Sequence, residues 1–252
     1  EEILGSYLSR LLPVISFFSY IKYKNYLANN YNVIFYLLCF FIILFTGERV
    51  AIIIMLFNIL LILAIGKNFR NTIILLFLLP IVLFGSLKYE SKIFNRLINT
   101  TYTQIFENNK FNWISEAHSK HLISSYYIFK DNKLLGAGPR SFRIECKKYN
   151  HIVKGCSTHP HNNYAQILAE TGILGFTIFI FGIYFIYKSF IKYFYYYFKK
   201  KRSEYIYLIL PLGALVVQFI PVLPTGSFFN NWLSIIYFYT FSLIFFKKKQ
   251  IN

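Results

Sequence analysis

Hydrophobic residues occupy the chain in long blocks, and polar residues collect in shorter segments between them. A helix of about 20 apolar residues, rising 1.5 Å per residue, crosses the ~30 Å hydrocarbon core of a bilayer. The blocks therefore predict seven membrane helices. The predicted spans are Leu8–Ile21, Val33–Phe45, Ala51–Ile65, Thr72–Leu87, Ile167–Tyr187, Tyr205–Leu223 and Trp232–Phe246.

One long interruption divides these spans into two groups. Hydrophobicity falls between Lys88 and Ala165, which predicts a polar loop between the fourth and fifth helices. The chain is thus predicted to have four helices in residues 1–87, a loop at 88–165 that carries the candidate chemistry, and three helices in residues 166–252. The expected fold class is an all-α membrane protein, a polytopic helical bundle.

The composition excludes most soluble folds. Of the 252 residues, 56% are hydrophobic and 15% are charged, a balance that soluble domains rarely have. The formal net charge is +17, which in a soluble protein would suggest nucleic-acid binding. Here many cations flank apolar blocks and form no recognition motif, so we expect contacts with anionic membrane lipid and no nucleic-acid partner.

The basic residues also predict the orientation of the spans. They concentrate in one of the two alternating sets of short loops, while the other set contains only Arg49. By the positive-inside rule, the basic set faces the cytoplasm and the long loop faces the opposite side. The basic set comprises Lys22, Lys24, Lys67, Arg70, Lys188, Lys192, Lys199, Lys200, Lys201, Arg202 and Lys247–Lys249.

The predicted loop holds every histidine of the chain. The five are His118, His121, His151, His159 and His161. Because apolar membrane segments exclude histidine, this clustering supports a polar loop more than it identifies a site.

The segment "THPHNNYAQILAETGILGF" joins this loop to the fifth span. Asn162 or Asn163 is a suitable N-cap for the following helix, and Pro160 biases His159 towards an extended backbone. His161 then lies near a helix N-terminus, whose positive field attracts phosphate and favours the neutral imidazole. We interpret His161 as a candidate general base, supported by His159 and Asn162. The alternative is an ordinary capping or loop histidine.

Four arginines are candidates for binding an anionic group. Arg10 lies inside the first span, where a charge is costly, and Arg49 follows Glu48 in a very short turn. Arg140, in "LLGAGPRSF", offers a planar guanidinium for phosphate oxygens after glycines that permit unusual backbone conformations, and Arg143 is a further cation. The alternatives are a snorkelling Arg10, an Arg49 that anchors the turn at the headgroups, and a plain turn before Arg140.

Two cysteines of the loop, Cys146 and Cys156, lie on the side predicted to be external. In an oxidising compartment they can form a disulfide that limits the freedom of the chain just before "STHPHN". The alternatives are two unpaired thiols, or a zinc site with the neighbouring histidines. The spacing Cys-x9-Cys-x2-His-x-His fits no common structural zinc pattern.

Together, these groups suggest a lipid-linked diphosphate bound by arginines beside a base. An acceptor hydroxyl would attack the sugar on that diphosphate, a reaction that needs positioning and charge neutralisation more than covalent chemistry. Asp131 is the only aspartate of the chain, so no Asp-x-Asp pair for a divalent metal is present. We expect neither a metal nor another cofactor.

Two of these segments resemble the signature of the O-antigen ligase and O-antigen polymerase superfamily: "KDNKLLGAGPRSF" and "THPHNNYAQILAETGILGF". "FTGERVAI" resembles the short arginine-bearing turn of the same family, and "GSYLSRLLP" resembles a span upstream of it. The resemblance implies a GT-C-like bundle, with His161 at the position of the family's proposed base. It also implies that Arg49 contacts the diphosphate. Arg140 matches less closely, because many members have no arginine there.

The resemblance further implies a metal-independent, inverting glycosyltransferase of the bacterial inner membrane, with its active-site loop in the periplasm. The donor would be an undecaprenyl-diphosphate-linked oligosaccharide, and the acceptor a glycan or lipid A–core. We favour a repeat-unit polymerase of O-antigen or lipopolysaccharide biosynthesis, with a chain-length regulator as partner. The alternatives are an O-antigen ligase and a pilin glycan ligase.

Two further expectations follow from the same sequence. A membrane transporter or channel with an outer gating loop is the alternative from a different class, and the helix-breaking Pro211 and Pro221 favour it. The chain begins at Glu1, and Met55 is its one methionine. Because members of the superfamily usually have more spans than are predicted here, we expect a longer protein whose other spans precede Glu1.

Overall fold

The structure is a computed structural model of the 252-residue chain. It describes residues 4–23, 30–66, 94–107, 110–111 and 114–251, together with positions 74, 78, 80–81 and 84–85. The predicted fourth span, Thr72–Leu87, lies largely outside these described residues.

The described residues are overwhelmingly helical, as the apolar blocks predict. The helices are α1 (Leu4–Lys22), α2 (Asn30–Thr46), α3 (Arg49–Gly66), α4 (Thr100–Ile105), α5 (Glu116–Asp131), α6 (Phe142–Glu145), α7 (Asn150–Val153), α8 (Asn163–Lys200), α9 (Ile206–Gln218) and α10 (Asn231–Ile251). A π-helical turn (Asn95–Asn99) precedes α4, and 3₁₀ turns occupy Cys146–Tyr149 and Ser203–Tyr205. Two short strands, β1 (Phe106–Glu107) and β2 (Lys110–Phe111), form an antiparallel pair in which Phe106 lies opposite Phe111.

Three of the described helices are long and apolar enough to cross a membrane, namely α1, α3 and α8. Shorter apolar helices lie at Ile34–Thr46, Ser203–Gln218 and Asn231–Phe245. The prediction of an all-α membrane protein agrees with these helices.

The chain forms two compact units. The first contains Glu1–Thr101, Ser189–Gln218 and Tyr239–Asn252, and the second contains Tyr102–Lys188 and Phe219–Phe238. The predicted division into residues 1–87, 88–165 and 166–252 remains a prediction.

In the first unit, α1 packs against α2, α3 and α9. The core between them is aliphatic and aromatic, and α9 is buried along nearly its whole length. Such burial on all sides explains why α9 is apolar all round rather than amphipathic. α9 ends at Gln218, before the predicted end of the sixth span at Leu223. Pro221 explains the early end, because proline lacks an N–H and disfavours helix in the residue before it.

A proline inside α1 creates a polar contact between α1 and α3. Pro13 has no N–H, so the carbonyl of Ser9 loses its helical donor. The side-chain amide of Asn58 supplies the missing hydrogen bond, with 2.7 Å between Nδ2 and the Ser9 oxygen. Asn58 and Ser9 are both buried, and a buried carbonyl without a donor would be costly.

In the second unit, α5 and the short helices α6 and α7 pack around a small core of Ile128, Phe142, Cys146 and Ala169. Cys146 and Cys156 are joined by a disulfide, with 5.0 Å between their Cα atoms. The bond ties the 3₁₀ turn after α6 to the segment that leads into α8.

The helix α8 is 38 residues long and is broken at Gly172, where φ is 64° and ψ is −167°. It begins earlier and ends later than the predicted fifth span, Ile167–Tyr187, because polar residues continue the helix at both ends.

Candidate functional site

His161 immediately precedes the first turn of α8. Asn162 caps this helix, since its Oδ1 accepts the backbone N–H of Ala165 at 3.0 Å. Its Nδ2 donates to the Pro221 carbonyl at 2.8 Å. The carbonyl of His161 accepts the N–H of Thr225 at 2.9 Å. The cap at Asn162 and the segment that follows α9 thus fix the backbone of His161, which has a positive φ of 55°.

Four of the five histidines form one cluster, which we call the histidine cluster: His118, His121, His159 and His161. The ring of His161 is at its centre. Its centroid lies 4.0 Å from that of His159, 5.4 Å from that of His121 and 5.6 Å from that of His118. His118 and His121 belong to α5, so the tertiary structure brings two segments of the loop together.

The environment keeps His161 neutral. Burial lowers the pKa of His161 to about 4, and the neighbouring His159, His121 and His118 act in the same direction. Burial also lowers the pKa of His159, with a smaller contribution of the same sign from His121. A neutral imidazole has one nitrogen that can accept a proton, which is the state that a general base needs.

The backbone near the disulfide orients His121. Its Nδ1 lies 3.0 Å from the carbonyl oxygen of Gly155, next to Cys156. A carbonyl only accepts hydrogen bonds, so Nδ1 of His121 carries a proton in this contact. His118 is held similarly, with 2.6 Å between its Nδ1 and the hydroxyl of Ser115.

The buried carboxylate of Glu170, on the second turn of α8, binds the glycine segment "LLGAGPRSF". Oε2 accepts the backbone N–H of Arg140 at 2.9 Å, and Oε1 accepts that of Phe142 at 3.0 Å. Gln166 donates to Oε2 at 3.1 Å and accepts the N–H of Phe228 at 2.8 Å. Glu170 and Gln166 therefore fix two loops against one helix.

The same segment also completes the hydrogen bonding of α8 at its break. The N–H groups of Ile173 and Leu174 donate to the carbonyls of Lys133 and Leu134, at 2.8 and 3.4 Å. In return, the carbonyls of Ala169 and Glu170 accept the N–H groups of Ala137 and Gly138, at 3.0 and 2.9 Å. These bonds replace the two helical bonds that would join Ile173 to Ala169 and Leu174 to Glu170, so all four backbone groups keep a partner at the break.

The glycines of this region permit the close approach. A β-carbon on Gly172 would collide with the Leu134 carbonyl and would lie 2.6 Å from the Gly136 nitrogen. Gly136 has a φ of 72°, and a β-carbon there would collide with the backbone of Glu170. The glycine segment before Arg140 is thus a packing surface for α8.

The guanidinium of Arg140 is engaged at the surface of the second unit. Its Nε donates to the Phe229 carbonyl at 2.9 Å, and Nη2 donates to Oδ1 of Asn231 at 3.0 Å. Arg143 is exposed and interacts electrostatically with Glu170. The predicted roles of Arg140 and Arg143 in phosphate binding remain predictions.

Arg10 and Arg49 both belong to the first unit. Arg10 is 3% exposed, and its Nη1 donates to the carbonyl of Ser6 at 3.2 Å and also contacts the Ser6 hydroxyl. Only Gly47 and Glu48 separate α2 from α3, which begins at Arg49. The turn is therefore as tight as the sequence predicts.

A third arginine, Arg96, contacts this turn. A β-carbon on Gly47 would lie 2.8 Å from Cδ of Arg96. Arg96 interacts electrostatically with both Glu48 and Arg49. Glu48 accepts the N–H of Gly5 at 3.0 Å. Burial raises the pKa of Glu48, while the backbone N–H bonds and the charges of the arginines oppose that shift.

We call Arg10, Arg49 and Arg96, with Glu48, the arginine cluster. It gathers three guanidiniums around one carboxylate, so its formal charge is positive even when Glu48 is ionised. Guanidiniums bind phosphate oxygens through planar pairs of N–H groups. The cluster has the chemistry of an anion site.

The sequence pattern predicts no individual role for five residues: His118 and His121 of the histidine cluster, Arg96 of the arginine cluster, and Gln166 and Glu170 of α8. A signal exists for the pair Gln166 and Glu170, whose i,i+4 spacing places two polar side chains on one face of an otherwise apolar helix. Arg96 has no comparable signal, because a lone arginine in a polar segment is usually a solvated residue. Among the described residues, no three His, Cys, Asp or Glu side chains are arranged to hold a metal ion.

Comparison with known proteins supports the resemblance noted from the motifs. No curated protein and no solved structure matches the chain. The family model described as O-antigen ligase matches residues 34–180, which is more than half of the 252 residues. The matched range includes Arg49, Arg96, Glu170 and the whole histidine cluster, so the chain belongs to the O-antigen ligase family.

Proposed function

We propose that this protein transfers a glycan from an undecaprenyl-diphosphate carrier to an acceptor hydroxyl. The observation that carries the proposal is the histidine cluster around His161, at the start of a helix long and apolar enough to cross a membrane and within the family match. In this proposal, the protein is a GT-C-like enzyme of the inner membrane, with residues 88–165 in the periplasm. Apolar helices and membership of the family support this assignment.

The arginine cluster binds the diphosphate of the donor in this proposal. Arg49 and Arg96 supply charge at the turn between α2 and α3, and Arg10 supplies a buried charge in the same unit. Their positive charge stabilises the diphosphate as it leaves, which is where negative charge develops. Arg140 is a fourth candidate for this role, with Arg143 supporting it.

His161 is the general base in the proposed reaction. Its imidazole takes the proton of the acceptor hydroxyl, the acceptor oxygen bonds to the anomeric carbon, and the bond from that carbon to the phosphate oxygen breaks. Undecaprenyl diphosphate leaves with the electron pair, and a single displacement inverts the anomeric configuration. No step of this scheme requires a metal ion.

The low pKa of His161 fits the role of a base in its neutral form. An imidazole with a pKa near 4 is neutral at pH 7, so one ring nitrogen can accept the proton of the acceptor hydroxyl.

The acceptor decides which product forms. We assign it as the next lipid-linked repeat unit, which makes the protein a polysaccharide polymerase, with a chain-length regulator as partner. The description of the matched family, O-antigen ligase, supports a second candidate in which lipid A–core is the acceptor. A pilin glycan ligase has the same chemistry with a protein hydroxyl as acceptor.

The test uses the full-length protein in proteoliposomes, with lipid-linked repeat units and, separately, lipid A–core as acceptor. We expect longer lipid-linked glycans from the first mixture, and loss of product in His161→Ala. His151→Ala is the matched control, because His151 is exposed on α7. Product on lipid A–core alone would select the ligase. Full activity of His161→Ala would remove His161 from its role, and movement of unchanged glycan across the membrane would favour a transporter.

A further inference from the structure

Two adjacent leucines in the second unit are among its most exposed apolar side chains. Leu134 is 68% exposed and Leu135 is 75% exposed. Both lie between α5 and α6, in a part of the sequence that is polar overall. Leaving two adjacent aliphatic side chains exposed to water costs free energy, so the exposure of this pair indicates contact with something other than water.

Their position is fixed by the break in α8. The Leu134 carbonyl accepts the N–H of Leu174, and the preceding Lys133 carbonyl accepts that of Ile173. The leucine pair is therefore held beside the helix at Gly172, and it does not project from a free loop. The backbone exchange already described makes this attachment rigid.

The helix continues from this point with an exposed apolar face. Leu174, Ile178, Phe181 and Phe185 follow at helical spacing and are 55%, 75%, 61% and 47% exposed. This face is suited to lipid, because α8 is apolar enough to cross a membrane. The backbone of Leu134 is bonded to Leu174, the first residue of this face, so the leucine pair lies at the end of the face nearest the break.

The length of this surface indicates where the leucines lie in a bilayer. The next cation on the helix after Gly172 is Lys188, which follows 16 residues later (188 − 172 = 16). Sixteen residues of helix span about 24 Å at 1.5 Å per residue. That approaches the ~30 Å of the hydrocarbon core. The break at Gly172 therefore marks one boundary of the core, and the cations near Lys188 mark the other.

Charges next to the leucines are those expected at a membrane surface. Lys130 and Lys133 precede the leucine pair in the sequence, and both are exposed. Asp131 lies between them and is bonded to the hydroxyl of Tyr149. Lysines at this level attract anionic headgroups, while apolar neighbours enter the acyl region to a depth of about 5–10 Å.

We propose that Leu134 and Leu135 insert into the outer boundary of the bilayer and anchor the loop to the membrane surface. The occupant of this surface is phospholipid: acyl chains at the leucines and headgroups at Lys130 and Lys133. The anchor holds α5, which carries His118 and His121, at the level of the membrane. This proposal depends on α8 crossing the membrane and is independent of glycosyl transfer.

The test is a spin label on a cysteine at position 135 of the full-length protein in proteoliposomes of phosphatidylcholine and phosphatidylglycerol. Cys39→Ala removes the one free cysteine, since Cys146 and Cys156 are bonded to each other. Collisions with oxygen report lipid, and collisions with a water-soluble nickel complex report water. Leu135→Cys is compared with Ile178→Cys as the lipid reference and Lys147→Cys as the aqueous reference.

We expect the label at Leu135 to behave like the one at Ile178, with frequent oxygen collisions and few nickel collisions. A label that matches Lys147 would overturn the proposal. A label shielded from both reagents would also overturn it, because it would indicate a protein partner or a second copy of this chain. Leu134→Cys repeats the measurement in case the first variant does not fold, and neither readout depends on enzymatic activity.

Discussion

The carboxylate of Glu170 accepts the backbone N–H of Arg140, with 2.9 Å between Oε2 and the nitrogen. These residues are distant in sequence, and the bond fixes the glycine segment on α8. The second oxygen of Glu170 holds Phe142 in the same way. The buried carboxylate of Glu170 can only accept hydrogen bonds, and it thus satisfies two backbone N–H groups that have no partner within a helix or strand.

We expect Glu170→Gln to loosen the glycine segment. The amide keeps the shape but presents an NH₂ group where one oxygen accepted, so one backbone N–H loses its partner. An unsatisfied buried donor costs about 1–3 kcal/mol. Hydrogen exchange of the Arg140 and Phe142 amides should accelerate accordingly. Glu204→Gln, at an exposed glutamate, should leave these amides unchanged, and equal protection in both variants would contradict the assigned role.

We expect Gly172→Ala to destabilise the break in α8. The residue has a φ of 64°, and a β-carbon would meet the backbone of Leu134 and Gly136. With ψ at −167°, this backbone region is essentially restricted to glycine, and another residue there costs roughly 1–3 kcal/mol before the collision is counted. Gly182→Ala is the control in the same helix, since nothing lies within 4 Å of its β-carbon position. Thermal unfolding in detergent should separate the two variants; equal melting temperatures would argue against the close approach.

We expect Arg96→Ala to weaken donor binding. Removing one charge-assisted hydrogen bond costs about 1.5–3 kcal/mol, or roughly 10- to 100-fold in KM for the lipid-linked donor. Arg96→Lys keeps the charge and should recover part of the loss. Arg202→Ala, at an exposed position, is the control. An unchanged KM in Arg96→Ala would exclude Arg96 from the diphosphate site.

The histidine cluster predicts a specific pH dependence of stability. The folded pKa of His161 is about 4, against 6.5 for an ordinary histidine. Between these values the unfolded chain binds a proton that the folded chain does not, so the free energy of unfolding falls as the pH falls through this window. The lowered pKa of His159 acts with the same sign.

The test is to measure the free energy of unfolding of the purified protein in detergent between pH 4 and pH 7. This range contains both the folded pKa of His161, about 4, and the ordinary histidine value of 6.5. His161→Gln should flatten the decrease in stability, and His151→Gln should not. His118 and His121 stay in place in both variants, so the comparison isolates the central ring. Stability that rises on acidification would show that the cluster is stabilised by protonation instead.

The predicted starts of two apolar helices agree with the structure to within a few residues where a charged or capping residue precedes the apolar block. Arg49 begins α3, and Asn162 caps α8, because a charged or capping residue has a local effect on the backbone. The end of α9 differs from the prediction, because hydropathy alone does not register that Pro221 interrupts the helix. The break at Gly172 was not predicted either, since it depends on hydrogen bonds from a distant segment.

The candidate site was predictable only in part for a similar reason. His161, Arg10 and Arg49 stand out because polar residues in or next to apolar helices are rare. His118, His121 and Arg96 lie in polar segments, where histidine and arginine are ordinary. Only the packing of α5 against the entry to α8, and of Arg96 over the turn at Gly47, gives them a chemical environment.

The sequence by itself determined that this is a helical membrane protein with a polar loop, because hydrophobic burial and helix length depend on composition over a local window. It also carried the motifs of its family, which are contiguous stretches of chain. Tertiary structure alone decided which imidazoles surround His161, which backbone groups Glu170 holds, and how the break in α8 is satisfied. Those contacts join residues far apart in sequence, and their energies depend on distance in space, which no local pattern encodes.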